Sequence, residues 1–145
     1  MLKGIDALLG PELLMILRAM GHGDEIAIVD ANYPADTDAL RLVRMDGHGA
    51  PRILAAVLSV MPLDDFVPAA FRPGINGDPS HLEPIMAVFQ ELIAQYEPHV
   101  VLEPLMGEAF YARVKSAYAV IASGERALYG NIVLRKGVIR METVQ

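Results

Sequence analysis

Met20-Gly21-His22-Gly23-Asp24-Glu25-Ile26-Ala27-Ile28-Val29-Asp30 joins an apolar helical pattern to a short apolar run that ends in an aspartate. Gly21 stands where a helix should stop, because glycine tolerates the positive φ of a helix C-terminus. Glu25 to Asp30 is nearly continuous in apolar residues, which predicts a strand buried on both faces. A tight turn carrying one imidazole therefore precedes a central strand, and a carboxylate follows it. That order sets the fold class.

Upstream, Gly10-Pro11-Glu12 opens a helix. Proline suits the first helical position, and Glu12 favours the positive end of the helix dipole. Leu13, Leu14, Ile16, Leu17 and Met20 recur at helical spacing, so one face is buried. Downstream, Asn32 to Asp36 reads as a loop around Pro34, and Leu40 to Met45 as a second strand. Asp46 to Gly49 forms a turn. A helix begins at Pro51 and is stopped by Pro62. Leu63 to Arg72 has strand composition, but Pro68 makes it an edge or bulged strand.

Ser80-x-x-Glu83 matches a capping box, with Asp78-Pro79 as the alternative start. The helix that follows, about 82 to 96, buries Ile85, Met86, Phe89, Leu92 and Ile93. Val100 to Leu102, Val120-Ile121 and Asn131 to Leu134 are further strands. Phe110, Tyr111, Val114 and Tyr118 share a helical face between the first two of these. Strands alternating with helices predict an α/β fold: one domain over residues 1–145, with a mostly parallel sheet flanked by helices in three layers.

The chain has 145 residues, 53% of them hydrophobic, with a formal charge of −6 and no cysteine. Its mean hydropathy is +0.33. No stretch reaches the roughly 18 consecutive apolar residues that a membrane span needs, and the acidic balance argues against a nucleic-acid partner. Absence of cysteine excludes disulfides and thiolate metal sites, in keeping with a cytoplasmic protein. The first residues lack the apolar core of a signal peptide. So much apolar content in a short chain points to burial between subunits, hence to a homo-oligomer.

Asp30, at the carboxyl end of a strand, occupies the usual ligand position of open α/β sheets, or else makes an ordinary turn. His22 between two glycines is either a proton-exchanging group or a surface turn histidine. No His-x-x-x-His pair supports a metal, no glycine-rich phosphate loop is present, and no Gly-x-Ser-x-Gly elbow occurs. Tyr129-Gly130-Asn131 combines a phenol and an amide, groups suited to a hydroxyl-rich ligand. Tyr111 is by default a core tyrosine with its hydroxyl at the rim. Asp64-Asp65 on its own is a turn.

Taken in order, several motifs resemble the fucose mutarotase branch of the fucose mutarotase / ribose pyranase family. They are Pro11-Glu12-Leu13-Leu14, Met20 to Ile26, Asp30-Ala31-Asn32-Tyr33-Pro34, Arg44-x-Asp46-Gly47 and Pro62-Leu63-Asp64. Ala109-Phe110-Tyr111, Gly124-Glu125-x-Ala127-x-Tyr129-Gly130-Asn131-Ile132 and Leu134-x-Lys136-Gly137-Val138 continue the series. The resemblance implies an isomerase that interconverts ring forms of a free monosaccharide without cofactor or metal. It also implies a compact, ribose pyranase-like α/β domain assembled into rings, a decamer or an octamer. The pocket would lie at a subunit boundary, with the Tyr-Gly-Asn segment contributed across the interface.

Residue by residue, the resemblance makes His22 the sugar-contacting acid/base of the bacterial members. It makes Asp30, Tyr129 and Asn131 ligands to sugar hydroxyls, with His22 among the binding residues. Asp64 and Tyr111 match the proton-transfer pair of the animal members. Anomer exchange of L-fucose or a related aldose is the expected reaction, with pyranose/furanose interconversion or a non-catalytic sugar-binding module as alternatives. One position departs: the family's arginine or histidine before Phe-x-Phe-Tyr is Gly107 here, followed by Glu108. This removes a cation from the expected pocket, leaving Arg72 and Arg113 as the candidates to replace it.

Overall fold

A computed structural model describes residues 1–142. Six strands form one sheet: β1 (Glu25–Val29), β2 (Leu42–Met45), β3 (Ala70–Pro73), β4 (Leu102–Leu105), β5 (Ala119–Ser123) and β6 (Ile132–Arg135), in the order β2-β5-β1-β6-β3-β4. Five run parallel. β6 alone runs against its neighbours, pairing Ile28 with Ile132 and Glu25 with Arg135 on one side, and Ala70 with Leu134 on the other. The expected mostly parallel, three-layer α/β architecture is what the chain adopts.

The period-2 geometry of strands sorts the core into two halves. Ile26, Ile28, Ile121, Ile132 and Leu134 face helices α1 (Pro11–Ala19), α3 (Ala50–Leu58) and α4 (Pro84–Tyr96). Ala27, Val29, Val120 and Val133 face the other way, towards the short α2 (Ala35–Asp38) and α5 (Glu108–Ser116), whose Phe110 and Val114 are fully buried. Each buried valine, leucine, isoleucine or phenylalanine among them contributes about 1.5–3 kcal/mol by leaving water. β1 is covered on both faces, as its near-continuous apolar sequence requires.

Several elements differ from the expectation. α1 ends at Ala19 with an extended Met20, and the positive φ belongs to Gly23 (+88°), not to Gly21. The turn needs left-handed backbone only where the chain re-enters the sheet. The residues expected as an Asn32–Asp36 loop include the first residues of α2, one turn whose Ala35 fills the smaller core half. The predicted strand over 63–72 divides. Leu63 makes one antiparallel bridge to Lys136, and β3 begins only at Ala70, beyond Pro68.

The capping box does not form, because the Ser80 hydroxyl donates to Asp78; α4 starts instead with Pro84 at its first position. α5 stops at Ser116, which leaves Tyr118 outside it under the Arg41 guanidinium. The third predicted strand moves on to Leu102–Leu105, where Pro104 is tolerated because β4 is an edge strand.

β6 continues past its last ladder pair as a scaffold. Gly23 N–H donates to the Lys136 carbonyl and Lys136 N–H to that of Asp24, both at 2.9 Å. Gly137 N–H donates to Pro62 at 2.8 Å, and Asp64 N–H to Arg135 at 3.1 Å. The Lys136 ammonium donates to the Leu17 and Met20 carbonyls at 2.7 and 2.6 Å, satisfying the open end of α1. Partial burial pulls the pKa of this lysine down.

The 62–64 segment lies so close that a Cβ on Gly137 would stand 2.4 Å from the Leu63 carbonyl oxygen. Gly137→Ala is therefore expected to lower stability by about 1–3 kcal/mol. Gly47→Ala, whose Cβ would meet nothing within 4 Å, should stay within about 0.5 kcal/mol. Urea denaturation midpoints of the two variants test the contrast.

Candidate active site

The polar residues singled out by sequence gather at the two ends of β1. Before the strand, the Asp24 carboxylate accepts the Gly21 N–H at 2.8 Å and rounds off the turn that presents His22. The antiparallel contact of 62–64 with 135–137 brings Asp64 beside Arg135. Asp64 Oδ2 accepts from Arg135 Nε at 2.8 Å, while Oδ1 accepts from Phe66 N–H at 3.1 Å and lies 3.1 Å from His22 Nε2. Asp64 is buried, whereas the His22 side chain is 42% exposed. The imidazole tilts against the Phe66 ring at 5.3 Å. Burial alone would push the Asp64 pKa up; the hydrogen bonds from Arg135, Phe66 and His22 outweigh it and bring the carboxyl down to about 2.

The other end is built from neutral donors around one carboxylate. Asp30 N–H donates to Asn131 Oδ1 at 2.8 Å, and Asn131 Nδ2 donates back to Asp30 Oδ2 at 3.0 Å. Asn32 N–H donates to Asp30 Oδ1 at 2.9 Å. Asp30 and Asn131 are both buried. Glu125 holds the loop before β6 by accepting the N–H groups of Arg126 and Ala127 at 2.9 Å and of Ala50 at 3.2 Å. The loop thereby carries half-buried Tyr129 at φ +58°.

Tyr111 of α5 stacks on Tyr33 at 6.3 Å. Burial raises its pKa, and the neighbouring Tyr129, Glu108 and Asp30 raise it further. Tyr33 donates to Asp38 at 2.8 Å and is likewise pushed up, by burial first and by that carboxylate second. A cavity of about 330 Å³ opens here between Tyr33, Pro34, Asp38, Glu108, Tyr111 and Lys115.

The structure thus brings Asp30, Tyr111, Tyr129 and Asn131 together and His22 with Asp64, but keeps the two groups apart. Six residue steps of extended chain from Asp24 to Asp30 put about 20 Å between them. Tyr129 and Asn131 belong with Asp30 on the same chain, so any boundary that sets the Tyr-Gly-Asn segment across an interface from His22 carries Asp30 across with it. Neither candidate cation reaches either cluster. Arg72 is buried and donates to the carbonyls of Pro79 and His81 at 2.7 and 3.2 Å. Arg113 makes a bidentate pair with Glu25 and lies over Phe71. Gly107 turns into α5 at φ +55°, a backbone conformation that disfavours a side chain there.

Sequence reasoning passed over Arg135, Tyr33 and Glu125. A charged residue directly after an apolar strand run was the available sign for Arg135. Glu125 and Tyr33 lay inside quoted motifs with no chemistry attached. Among the described residues no cluster of three histidine or acidic side chains is placed to hold a metal, and no helix is long and apolar enough to cross a membrane.

The Asp64 carboxyl has an unfolded value of 3.8 and a folded value of about 2, so its stabilisation is present above pH 4 and is lost as pH falls towards 2. In Asp64→Asn the melting temperature should be lower at neutral pH and fall less steeply between about pH 4 and pH 2. Calorimetry across that range checks both.

Comparison with known proteins places these features. The profile of the RbsD / FucU transport protein family matches residues 3–139. The fucose mutarotase of Bos taurus is 43% identical over 146 residues, covering 95% of this chain and 94% of its own. FucU from Bifidobacterium longum superposes with a TM-score of 0.88 at 43% identity, over 95% of this chain and all of that one. The fucose mutarotase of Streptococcus pneumoniae, solved in complex with L-fucose, gives a TM-score of 0.87 at 39% identity over 96% of this chain and all of its own. On this match of sequence and fold along nearly its whole length, the chain belongs to the RbsD / FucU family.

Proposed function

We propose that the protein is an aldose mutarotase, an isomerase that interconverts the α and β anomers of L-fucose or a closely related free sugar without a cofactor. The observation that carries this reading is the pairing of unlike proton-handling groups at the two ends of β1. One end has an exposed imidazole braced by a buried carboxylate, and the other a phenol beside an Asp–Asn–Tyr set suited to hydroxyls. Relatives named fucose mutarotase, one of them solved with L-fucose, support the substrate class.

Opening a hemiacetal requires one proton to leave the anomeric hydroxyl and one to reach the ring oxygen. The carbonyl then rotates, and closure on its other face reverses both transfers. His22 is the base that takes the anomeric proton, with Asp64 behind it, and Tyr111 is the acid facing the ring oxygen. Burial keeps Tyr111 protonated until the transfer. Asp30, Asn131 and Tyr129 hold hydroxyls. Such acid/base help gives about 10²–10⁴-fold, enough for a reaction that already proceeds in water.

Because the clusters stand about 20 Å apart on one chain, each sugar site takes His22 and Asp64 from one copy and Asp30, Tyr111, Tyr129 and Asn131 from another. The working form is then a cytoplasmic homo-oligomer of one-domain subunits, a ring of ten or eight, acting on free monosaccharide with no nucleic-acid or membrane partner. The same ring opening would serve pyranose/furanose exchange of ribose-like sugars.

Saturation-transfer NMR at the anomeric protons of L-fucose, D-galactose and D-ribose should show faster exchange with the protein, and loss of that gain in His22→Ala and in Tyr111→Phe. Sugar binding without acceleration for any aldose would leave only a binding module. Co-expression of the two inactive variants tests the shared site. Random assembly leaves about a quarter of the sites with both intact residues, so activity should return to about that fraction; none returns if each site lies within one chain.

A further inference from the structure

Resting on the mutarotase reading, we infer that Arg135 is a positioning residue. It locks Asp64 as a fixed acceptor, so that His22 presents a bare Nδ1 to the sugar and Asp64 itself carries no proton.

Lone pairs and space fix the role of Asp64. An ionised carboxylate accepts at about four sites. Asp64, buried, already spends three of them on Arg135 Nε, Phe66 N–H and His22 Nε2. To take a proton it must give up the charge that holds these donors, in a place water does not reach. Its ordinary role is therefore that of an orienting base, like the carboxylate behind a catalytic imidazole. Accepting from Nε2–H selects the tautomer whose Nδ1 is free, and the exposure of the His22 side chain leaves that nitrogen open to a ligand.

Arg135 is itself held. Its N–H donates to the Ala69 carbonyl at 2.8 Å, its carbonyl accepts from Asp64, and its guanidinium rests on Gly23. A Cβ at position 23 would stand 2.8 Å from Arg135 Nη2, and φ there is +88°. The second glycine flanking His22 thus makes room for the arginine that braces the partner of His22. The residue next to the imidazole in sequence and the one two bonds behind it in space serve the same geometry.

The charged groups around His22 are Asp24 in its own turn, Asp64 and Asp65 from the 62–69 segment, and Arg135 with Lys136 at the end of β6. Arg140, over the Phe66 ring and paired with Asp65, completes the set. Removing the Arg135 guanidinium takes a cation from beside the imidazole and leaves Asp64 held only by Phe66 N–H and His22, so that its carboxylate is free to turn. The acid limb of the exchange rate, where His22 must lose its proton to act as base, then moves to higher pH.

Nitrogen-15 NMR of the imidazoles and the pH dependence of anomer exchange test this together. In the native protein His22 should be protonated at Nε2 and bare at Nδ1 above the acid limb. In Arg135→Gln the tautomers should mix and the limb should rise by about 1 pH unit; Arg135→Lys, keeping the charge, should bring the limb back. Gly23→Ala, which displaces the guanidinium, should move it the same way as Arg135→Gln and serves if that variant fails to fold. Asp64→Asn should keep measurable exchange with its limb at lower pH. The inference falls if native His22 carries its proton on Nδ1. It also falls if Arg135→Gln changes neither tautomer nor limb, or if Asp64→Asn loses all exchange while His22 keeps its tautomer. A native protein that accelerates no aldose overturns the enzyme reading instead, and leaves the tautomer measurement standing.

Discussion

Strand β6 runs against the five strands around it, and the polar contacts at both ends of β1 depend on that reversal. In a wholly parallel sheet all strands would start on one side and finish on the other. A reversed central strand starts where its neighbours finish. Asn131, just before β6, therefore arrives at Asp30, and Arg135, at its end, arrives beside Asp64 and the His22 turn. A slip of one residue would turn every side chain of β6 to the opposite face. Ile132 and Leu134 on one side and Val133 on the other, all fully buried, make such a slip costly. The hydrophobic register of three residues thus sets the positions of two polar clusters.

The clusters differ in electrical character. At the His22 end an ionised Asp64 sits between a guanidinium and an imidazole, a small charged relay sealed at the back and open at the front. At the Asp30 end a carboxylate is satisfied by an amide and a backbone N–H, with phenols nearby. Arg72 and Arg113 supply no cation there, being committed to loop carbonyls and to Glu25, and the basic side chain that lines the cavity beside Tyr111 is Lys115. That end therefore offers a carboxylate, an amide and phenols side by side.

Much of this was legible in the chain. The buried central strand, the helices opened by Pro11 and Pro51, and the identity of the polar residues all follow from local pattern. Direction did not: Asn131 to Leu134 reads as the same apolar run whichever way it enters the sheet, and long-range pairing alone decides it. That one unknown hid the separation of His22 from Asp30, although both flank a single strand whose length already implied it. Arg135 escaped because a linear motif records which residues recur, not which side chain reaches across 71 positions to Asp64. Gly21 and Gly23 were exchanged in role because either glycine satisfies a turn by composition, while only the second meets the guanidinium.

Lys136 gives the His22 turn a particular place in the molecule's hierarchy of motions. Its ammonium closes the end of α1, and its backbone carbonyl and N–H bond to Gly23 and Asp24 where the turn enters β1, one residue beyond β6. The turn is exposed, yet it cannot loosen without detaching the helix before it and the strand beside it. Its opening is thereby tied to cooperative opening of the sheet's centre, and not to the fraying common in surface loops. Hydrogen exchange at Gly23 would then track the middle of the sheet.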